Sequence, residues 1–190
     1  MHLELDLQPF KLQHIISKRN ISINNSNHVI VTVGSNERIE FCKSIGATDG
    51  INYKTNPNFN EKVKELTNGK GVDFVLDFIG ATYWNNNIDS LAIDGRMIIL
   101  GFMGGVKLEN VDISPFLRKR ITVTGSSLRS RSLDYQIQLR DIFVQELLPQ
   151  IIKDNLKPII DREFNWNQIV EAHIHMESNA NMGKIVVSTE

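Results

Sequence analysis

The sequence predicts an α/β fold in which a doubly wound, mostly parallel sheet carries helices on both faces. Three observations support this prediction. Short runs of strand-like composition, such as 29–33 and 72–77, alternate along the chain with segments of helical spacing. The run 29–33 is apolar or β-branched throughout, which is typical of a strand buried on both faces. Glycine or polar turns follow the runs, and such alternation requires right-handed crossovers between parallel strands, as in a Rossmann-like arrangement.

The predicted elements follow one another with short turns. Ser35 can cap the first helix, Gly46 ends it, and Pro149 is expected to end or kink the longest helix. The strands are predicted at 29–33, 51–53, 72–77, 97–100, 121–124, 158–160 and 184–187. The helices are predicted at 36–45, 59–66, 84–92, 134–148 and 167–177.

The composition argues against several classes of function. The net charge of the 190 residues is -1, so the chain has no basic field for nucleic acid or an anionic membrane surface. Cys42 is the only cysteine, which excludes an intrachain disulfide and a zinc site made of several thiolates. Because no apolar run approaches the length of a transmembrane helix and the start is not of the secretory type, we expect a soluble, cytoplasmic protein.

Ligands of a doubly wound sheet bind at the carboxyl ends of its strands. Those positions are occupied here by Gly34-Ser35, 77–80, 101–105 and 126–131, which supply glycine, hydroxyl and guanidinium groups. Glycine allows the backbone to approach a polar ligand closely. The alternative for any single one of these glycines is that it merely makes a tight turn.

The end of the first strand indicates which nucleotide is bound. A fold that uses NAD usually has an acidic residue there for the ribose hydroxyls. This chain has Gly34-Ser35 instead, followed by Arg38 in the first turn of the helix. A hydroxyl, a helix N-terminus and a guanidinium favour a phosphate, and hence NADPH. Glu37 counts against this interpretation, and the alternative is that Arg38 is a solvated surface charge.

Six segments resemble one known family in order and spacing: TVGSNERIEFCKSIGATDGINYK, VLDFIG, DGRMIILGFMGG, SSLRSR, LKPIIDREF and EAHIHMESNANMGKIVV. They are similar to the zinc-independent, zeta-crystallin-like quinone oxidoreductases of the medium-chain dehydrogenase/reductase superfamily. The resemblance extends from about residue 28 to residue 187. It implies hydride transfer from NADPH to a quinone or a similar electron-poor carbonyl compound, and a homodimer formed through the edge strand 121–127.

The resemblance also implies the residues of the cofactor site. In this family the strand-end serine, the basic residue three positions later and the tyrosine of the NY(K/R) segment hold the 2′-phosphate. The corresponding residues here are Ser35, Arg38 and Tyr53. The remaining cofactor-binding residues that it implies are Gly34, Ile79, Gly80, Phe102, Met103, Leu128 and Arg129. No catalytic acid or base and no metal ligand is predicted.

The sequence departs from this family before residue 28. A Rossmann unit needs a first strand and a G-x-G-x-x-G loop about 20 residues before the ribose-binding strand end. Residues 13–20, where that count falls, contain no glycine, and the amino-terminal GroES-like lobe is absent. We therefore expect only the carboxy-terminal part of such an enzyme, truncated and inactive alone. The alternative is a non-catalytic dimerisation or NADP-binding module.

The expected domain organisation follows from these departures. Residues 1–27 are a divergent segment with a loop or disordered connector, 28–150 a partial NADP-binding domain, and 151–190 the return segment, a remnant of the GroES-like lobe. His173 is expected on the apolar stripe of the last helix, packed and hydrogen-bonded. His175 is expected to point away from that stripe, and the two are spaced wrongly for zinc.

Overall fold

A computed structural model describes residues 28–153 and 157–189. Within them, residues 28–132 form one compact unit and residues 133–189 belong to a second. From the sequence, the corresponding domain boundary is predicted at residue 150. The expected disordered connector before residue 28 lies outside the described residues.

The first unit alternates strands and helices, as predicted. All of its strand pairs are parallel and form two sheets, with the orders β1-β2 and β3-β4-β5. Its strands are β1 (Ile30–Val33), β2 (Asp49–Asn52), β3 (Val72–Asp77), β4 (Leu91–Ile99) and β5 (Thr122–Gly125). Its helices are α1 (Asn36–Ser44), α2 (Phe59–Leu66), α3 (Trp84–Ser90) and α4 (Ser114–Lys119), with a 3-10 turn at Ala81–Tyr83. The α/β class with parallel strands is confirmed.

The strands of the first unit fall into two separate sheets. β1 pairs with β2 along one edge and β3 pairs with β4 along one edge. Within the ranges that the structure describes, no strand pairs with the other edge of β1 or with the other edge of β3. A shared hydrophobic cluster nevertheless joins them, because Phe59 and Val63 of α2 pack with residues of both sheets. The members from the sheets are Ile30 of β1, Ile51 of β2 and Val72 of β3.

The burial of β1 differs from the prediction. Val31 is buried, but Thr32 is exposed and Val33 is only half-buried. A strand is covered on both faces only where helices pack on each side of it. Here α1 covers the face of Val31, with Ile39 lying over Gly50 of β2 so closely that a Cβ there would come within 2.6 Å of its side chain. On the other face, α2 packs on Ile30 and Ile51 but leaves Thr32 exposed.

The stretch between α3 and α4 also departs from the prediction. The predicted helix 84–92 ends at Ser90, and β4 begins at Leu91 rather than at residue 97. The predicted turn at Asp94-Gly95 lies inside β4, where Asp94 has a φ of 62° and the register with β3 shifts. The turn residues therefore make an irregularity within a strand. Helix α4 was not predicted, because SPFLRK is too short to show helical periodicity.

The second unit contains α5 (Leu133–Ile142), a π-helical turn (Phe143–Leu147), α6 (Leu148–Ile152), β6 (Ile160–Asn165), α7 (Ile169–Glu177) and β7 (Lys184–Ser188). β6 and β7 pair in parallel. Pro149 does not end the helix. It lies in the first turn of α6, two positions after the π-helical turn that interrupts the α-helix, and the first turn is where a proline is tolerated. The predicted strand 158–160 instead begins at Ile160.

The histidine pair of α7 is arranged in the opposite way to the prediction. His173 is exposed. His175 lies 2.7 Å from a carboxylate oxygen of Asp161 on β6, and both side chains are largely buried. The helix turns its His175 face toward β6 because that face carries Ala172, its buried residue. The apolar side chains Val170 and Ile174 are exposed.

Candidate dinucleotide-binding site

The carboxyl end of β1 lies directly against the end of β2. A Cβ placed on Gly34 would come within 2.8 Å of the Tyr53 hydroxyl oxygen and 3.3 Å of its ring. A side chain at position 34 would therefore have to displace the Tyr53 ring. Two of the predicted site residues, Gly34 and Tyr53, are in contact, and Tyr53 remains 36% exposed.

Ser35 begins α1 as predicted. Its backbone is extended and its hydroxyl oxygen accepts a hydrogen bond from the amide of Arg38 at 3.3 Å. The hydroxyl hydrogen can still be donated, and the positive end of the helix dipole adds to the attraction for an anion. The Arg38 side chain is half-buried. Burial raises the pKa of the Cys42 thiol one turn further along, and the charge of Arg38 opposes that increase.

Asn52, the last residue of β2, connects the two strand ends. Its side chain is buried, donates to Oδ1 of Asn36 at 3.1 Å, and accepts from the amide of Lys54 at 3.1 Å. Its carbonyl accepts from the amides of Thr55 and Asn56. Asn52 was not among the residues predicted from the sequence. The pattern that could have identified it is an amide residue at the end of the short strand DGIN, where a buried side chain needs several hydrogen-bond partners.

Asp77 makes the turn at the end of β3. Its carboxylate is buried and accepts hydrogen bonds from the amides of Ile79 at 2.9 Å and Gly80 at 3.1 Å. These two amides are therefore used within the protein. From the sequence, Asp77 is predicted at a strand end but has no predicted role. In the structure, Asp77 fixes the path of a loop that contains two of the predicted site residues.

This loop is joined to the loop that follows β4. The amide of Met103 donates to the Phe78 carbonyl, that of Gly104 to Ile79, and that of Ala81 to Gly105. The approach is close because a Cβ on Gly80, whose φ is 82°, would lie 2.7 Å from the Gly105 carbonyl oxygen and 3.0 Å from the Phe102 ring. The structure thus brings together the predicted residues Ile79, Gly80, Phe102 and Met103.

The side chains above these two loops are accessible. Phe102 is 57% exposed and Met103 is 72% exposed, so both present apolar surface to solvent. Beside them is a shallow, open depression, which is lined by Ala81, Thr82, Gly104, Gly105, Val106 and Lys107.

The loop after β5 carries the last predicted pair, Leu128 and Arg129, and both are exposed. The amide of Ser126 donates to the Ile99 carbonyl at the end of β4, so the start of the loop is held at the same sheet edge. The amide of Arg131 donates back to the Leu128 carbonyl.

Two tyrosines connect the ends of the separate sheets. The rings of Tyr53, after β2, and Tyr83, after β3, meet edge to face with centroids 6.1 Å apart. Burial raises the pKa of Tyr83, and Tyr53 adds to the effect. The strand ends of both sheets therefore form one edge, on which the glycine loops and the N-terminus of α1 lie.

The residues that the structure describes contain neither a candidate metal site nor a candidate membrane-spanning helix. None of their histidine, cysteine and acidic side chains cluster in a way that could hold a metal ion. None of their helices combines the length and the apolar character needed to cross a bilayer.

An α/β unit with parallel strands and glycine-containing loops at their carboxyl ends has the architecture of a nucleotide-binding domain. Residues 21–143 match the family model described as zinc-binding dehydrogenase. The chain belongs to this family, which is part of the medium-chain dehydrogenase/reductase superfamily of oxidoreductases. The expectation of a carboxy-terminal portion of that superfamily is confirmed.

Three relatives illustrate the range of the family. The chain is 28% identical to a zinc-type alcohol dehydrogenase-like protein of Schizosaccharomyces pombe, covering 86% of this chain and 45% of that protein. It is 30% identical to mouse prostaglandin reductase-3, covering 84% and 45%. The crystal structure of Escherichia coli quinone oxidoreductase complexed with NADPH superposes with a TM-score of 0.69 at 26% identity, covering 84% of this chain and 49% of that one. The chain thus spans about half the length of the relatives it matches.

Proposed function

We propose that this chain is the cofactor-binding part of an NADPH-dependent reductase that transfers hydride to a quinone or a similar electron-poor carbonyl compound. The observation that carries the proposal is the group formed by Ser35, Arg38 and Tyr53 at the end of β1. No acidic side chain occupies this strand end to accept hydrogen bonds from ribose hydroxyls.

The chemistry of this group suits a phosphate monoester. The Ser35 hydroxyl and the tyrosine hydroxyl are donors, and a guanidinium can make two parallel hydrogen bonds to phosphate oxygens. The first turn of α1 adds a favourable dipole. Glu37 is the acidic residue in that turn, and it is exposed. Its charge is therefore screened more strongly than that of the half-buried arginine.

The acceptor class is supported by the relatives. The Escherichia coli protein, with a structure containing NADPH, is a quinone oxidoreductase, and the mouse protein is a prostaglandin reductase. Bound NADPH would supply the hydride from its nicotinamide ring. The residues of this chain would bind and orient it, with Phe102 and Met103 offering apolar surface beside the ring. Leu128 and Arg129 would contact it from the loop after β5.

The test is a comparison of NADPH with NADH by calorimetric titration. Wild-type protein should bind NADPH more tightly, and Arg38→Gln should remove most of that preference, about tenfold or more, because a charge-assisted hydrogen bond is lost. Tyr53→Phe removes only a neutral hydroxyl and should have a smaller effect. Equal affinity of the wild type for both nucleotides would contradict the proposal.

A second candidate is a non-catalytic NADP-binding or dimerisation module. It is favoured by the absence of glycine from residues 1–27, because a G-x-G-x-x-G loop is normally found about 20 residues before the ribose-binding strand end. Hydride transfer needs both reactants held in contact and away from water. Quenching of NADPH fluorescence without oxidation in the presence of a benzoquinone would favour this candidate. Oxidation of NADPH at rates similar to those of the relatives would exclude it.

A further inference from the structure

The side chain of Lys54 lies across the same glycine as Tyr53. Its Cε atom is 3.4 Å from the position that a Cβ on Gly34 would take. Lys54 therefore extends from the end of β2 over the end of β1, toward the turn that leads into Ser35. This places a second basic side chain beside Ser35 and Tyr53.

The position of Lys54 is fixed at its backbone. Its amide donates to Oδ1 of Asn52, which is buried and whose side-chain nitrogen donates to Asn36 in the first turn of α1. Asn52 thus connects the segment that carries Lys54 with the helix that carries Arg38. The connection fixes the segment that carries Lys54 against the first turn of α1, which carries Arg38.

Lys54 differs in its charge environment from three other lysines of its unit. Lys43, Lys62 and Lys70 each form an ion pair with a carboxylate three residues away. Among the ion pairs formed within residues 28–153 and 157–189, none involves Lys54. Its side chain is exposed, so its charge is available to an anionic ligand at the end of β1.

We propose that Lys54 is a specificity-determining residue that binds the 2′-phosphate together with Arg38, and that Asn52 is its positioning residue. The inference rests on the proposed function, because it concerns the same phosphate. An ammonium and a guanidinium together compensate the two negative charges of a phosphate monoester better than one cation. A nucleotide without the 2′-phosphate gains nothing from Lys54.

The experiment compares two probes that differ only in that phosphate, adenosine 2′,5′-diphosphate and adenosine 5′-monophosphate, on the full chain. Lys54→Gln should weaken binding of the diphosphate by about tenfold and leave the monophosphate almost unchanged. Lys54→Arg should keep most of the affinity, because the charge is retained. Lys43→Gln is the matched control, a lysine at the far end of α1, and it should change neither affinity.

Asn52→Ala tests the positioning role. It should reduce the preference for the diphosphate and add little to the loss already caused by Lys54→Gln, because both act on one interaction. Additive losses would contradict this role.

The outcomes separate the two proposals. If the wild-type protein does not prefer the diphosphate, the proposed function fails and the inference fails with it. If the wild type prefers the diphosphate and Lys54→Gln keeps that preference in full, the role of Lys54 is refuted while the proposed function stands.

Discussion

Asp94 and Arg120 form a bidentate ion pair in which both residues have left-handed backbone conformations. The Arg120 Nε and Nη2 atoms each lie 2.8 Å from an oxygen of Asp94. The φ angles are 62° for Asp94 and 52° for Arg120. The pair connects the irregularity in β4 with the residue that ends α4.

The first prediction separates this pair from its backbone strain. Arg120→Ala loses the ion pair and keeps a side chain in the left-handed region, so its melting temperature should fall. Arg120→Gly also loses the pair but relaxes the backbone, and it should fall less. Equal melting temperatures for the two variants would show that the backbone of Arg120 is not strained.

The same pair predicts a pH dependence. The hydrogen bond from Arg120 lowers the pKa of Asp94. A carboxylate with a lowered folded-state pKa stabilises the protein above its unfolded pKa, and this contribution is lost as the pH falls through the folded value. The stability difference between wild type and Asp94→Asn should therefore shrink on acidification, as followed by urea denaturation at several pH values. A difference that does not change with pH would contradict this.

The second prediction concerns the loops after β3 and β4. Gly80→Ala should destabilise the protein by about 1–3 kcal/mol, because it combines a positive φ with a clash against a backbone carbonyl. Gly69→Ala is the matched control. Its φ is 81°, close to that of Gly80, but no atom lies within 4 Å of the added Cβ. Chemical denaturation should show the larger loss for Gly80→Ala, and similar losses would mean that the loop contact adjusts easily.

The third prediction uses Cys42 as a reporter on Arg38. Burial raises the thiol pKa and the guanidinium charge opposes this. Arg38→Gln should therefore raise the pKa further and slow alkylation of Cys42 by iodoacetamide at mildly alkaline pH, because less thiolate is present. Glu37→Gln, in the same turn of α1, is the control for changes in how often α1 opens and exposes Cys42. Faster alkylation in Arg38→Gln would indicate that α1 has loosened.

The fourth prediction concerns the buried carboxylate of the second unit. The amide of Met182 hydrogen bonds to Asp161 and lowers its pKa; partial burial acts in the opposite direction, and His175 lowers the pKa further. Asp161→Asn should destabilise the protein at neutral pH, and the loss should diminish as the pH falls through the lowered pKa of Asp161. Hydrogen exchange of the Met182 amide, which donates to Asp161 at 2.7 Å, measures the effect locally. Unchanged exchange would contradict the prediction.

The fifth prediction is the homodimer through 121–127, which we propose on the resemblance. The amide of Ser126 points to β4, so in the alternating strand geometry that of Gly125 points to the open edge of β5. Gly125→Pro should abolish dimerisation in sedimentation velocity, whereas Gly125→Ala should not, since no atom lies within 4 Å of its added Cβ. A wild-type protein that is monomeric at high concentration would refute the proposal.

The sequence was sufficient to predict the features that depend on local pattern. The apolar runs located β1 and β3, and Ser35 was identified as the cap of α1. It could not predict features that depend on neighbours in space. The exposure of Thr32 depends on what covers the sheet, and the burial of His175 depends on α7 packing its Ala172 face against β6, where Asp161 lies.

The positions of the candidate site residues in the fold could be predicted to a similar extent. Resemblance to a family indicated which residues follow the strands, and the structure joins several of them. The roles of Asn52 and Asp77 could not be predicted, because each depends on hydrogen bonds to backbone amides whose direction is set by the turn. Lys54 belongs to the NY(K/R) segment, but the role that we propose for it depends on its position over Gly34, which is 20 positions away in the chain.

The contact between Gly34 and Tyr53 constrains how nucleotide preference can change during evolution or in the laboratory. An acidic side chain at position 34 would favour a free ribose, but its Cβ would lie 2.8 Å from the tyrosine hydroxyl, so the Tyr53 side chain would have to move aside. Moving Tyr53 would also withdraw its hydroxyl from the phosphate site that we propose. A single substitution at position 34 would therefore act on both nucleotides, because it adds a partner for the ribose and displaces a donor for the phosphate.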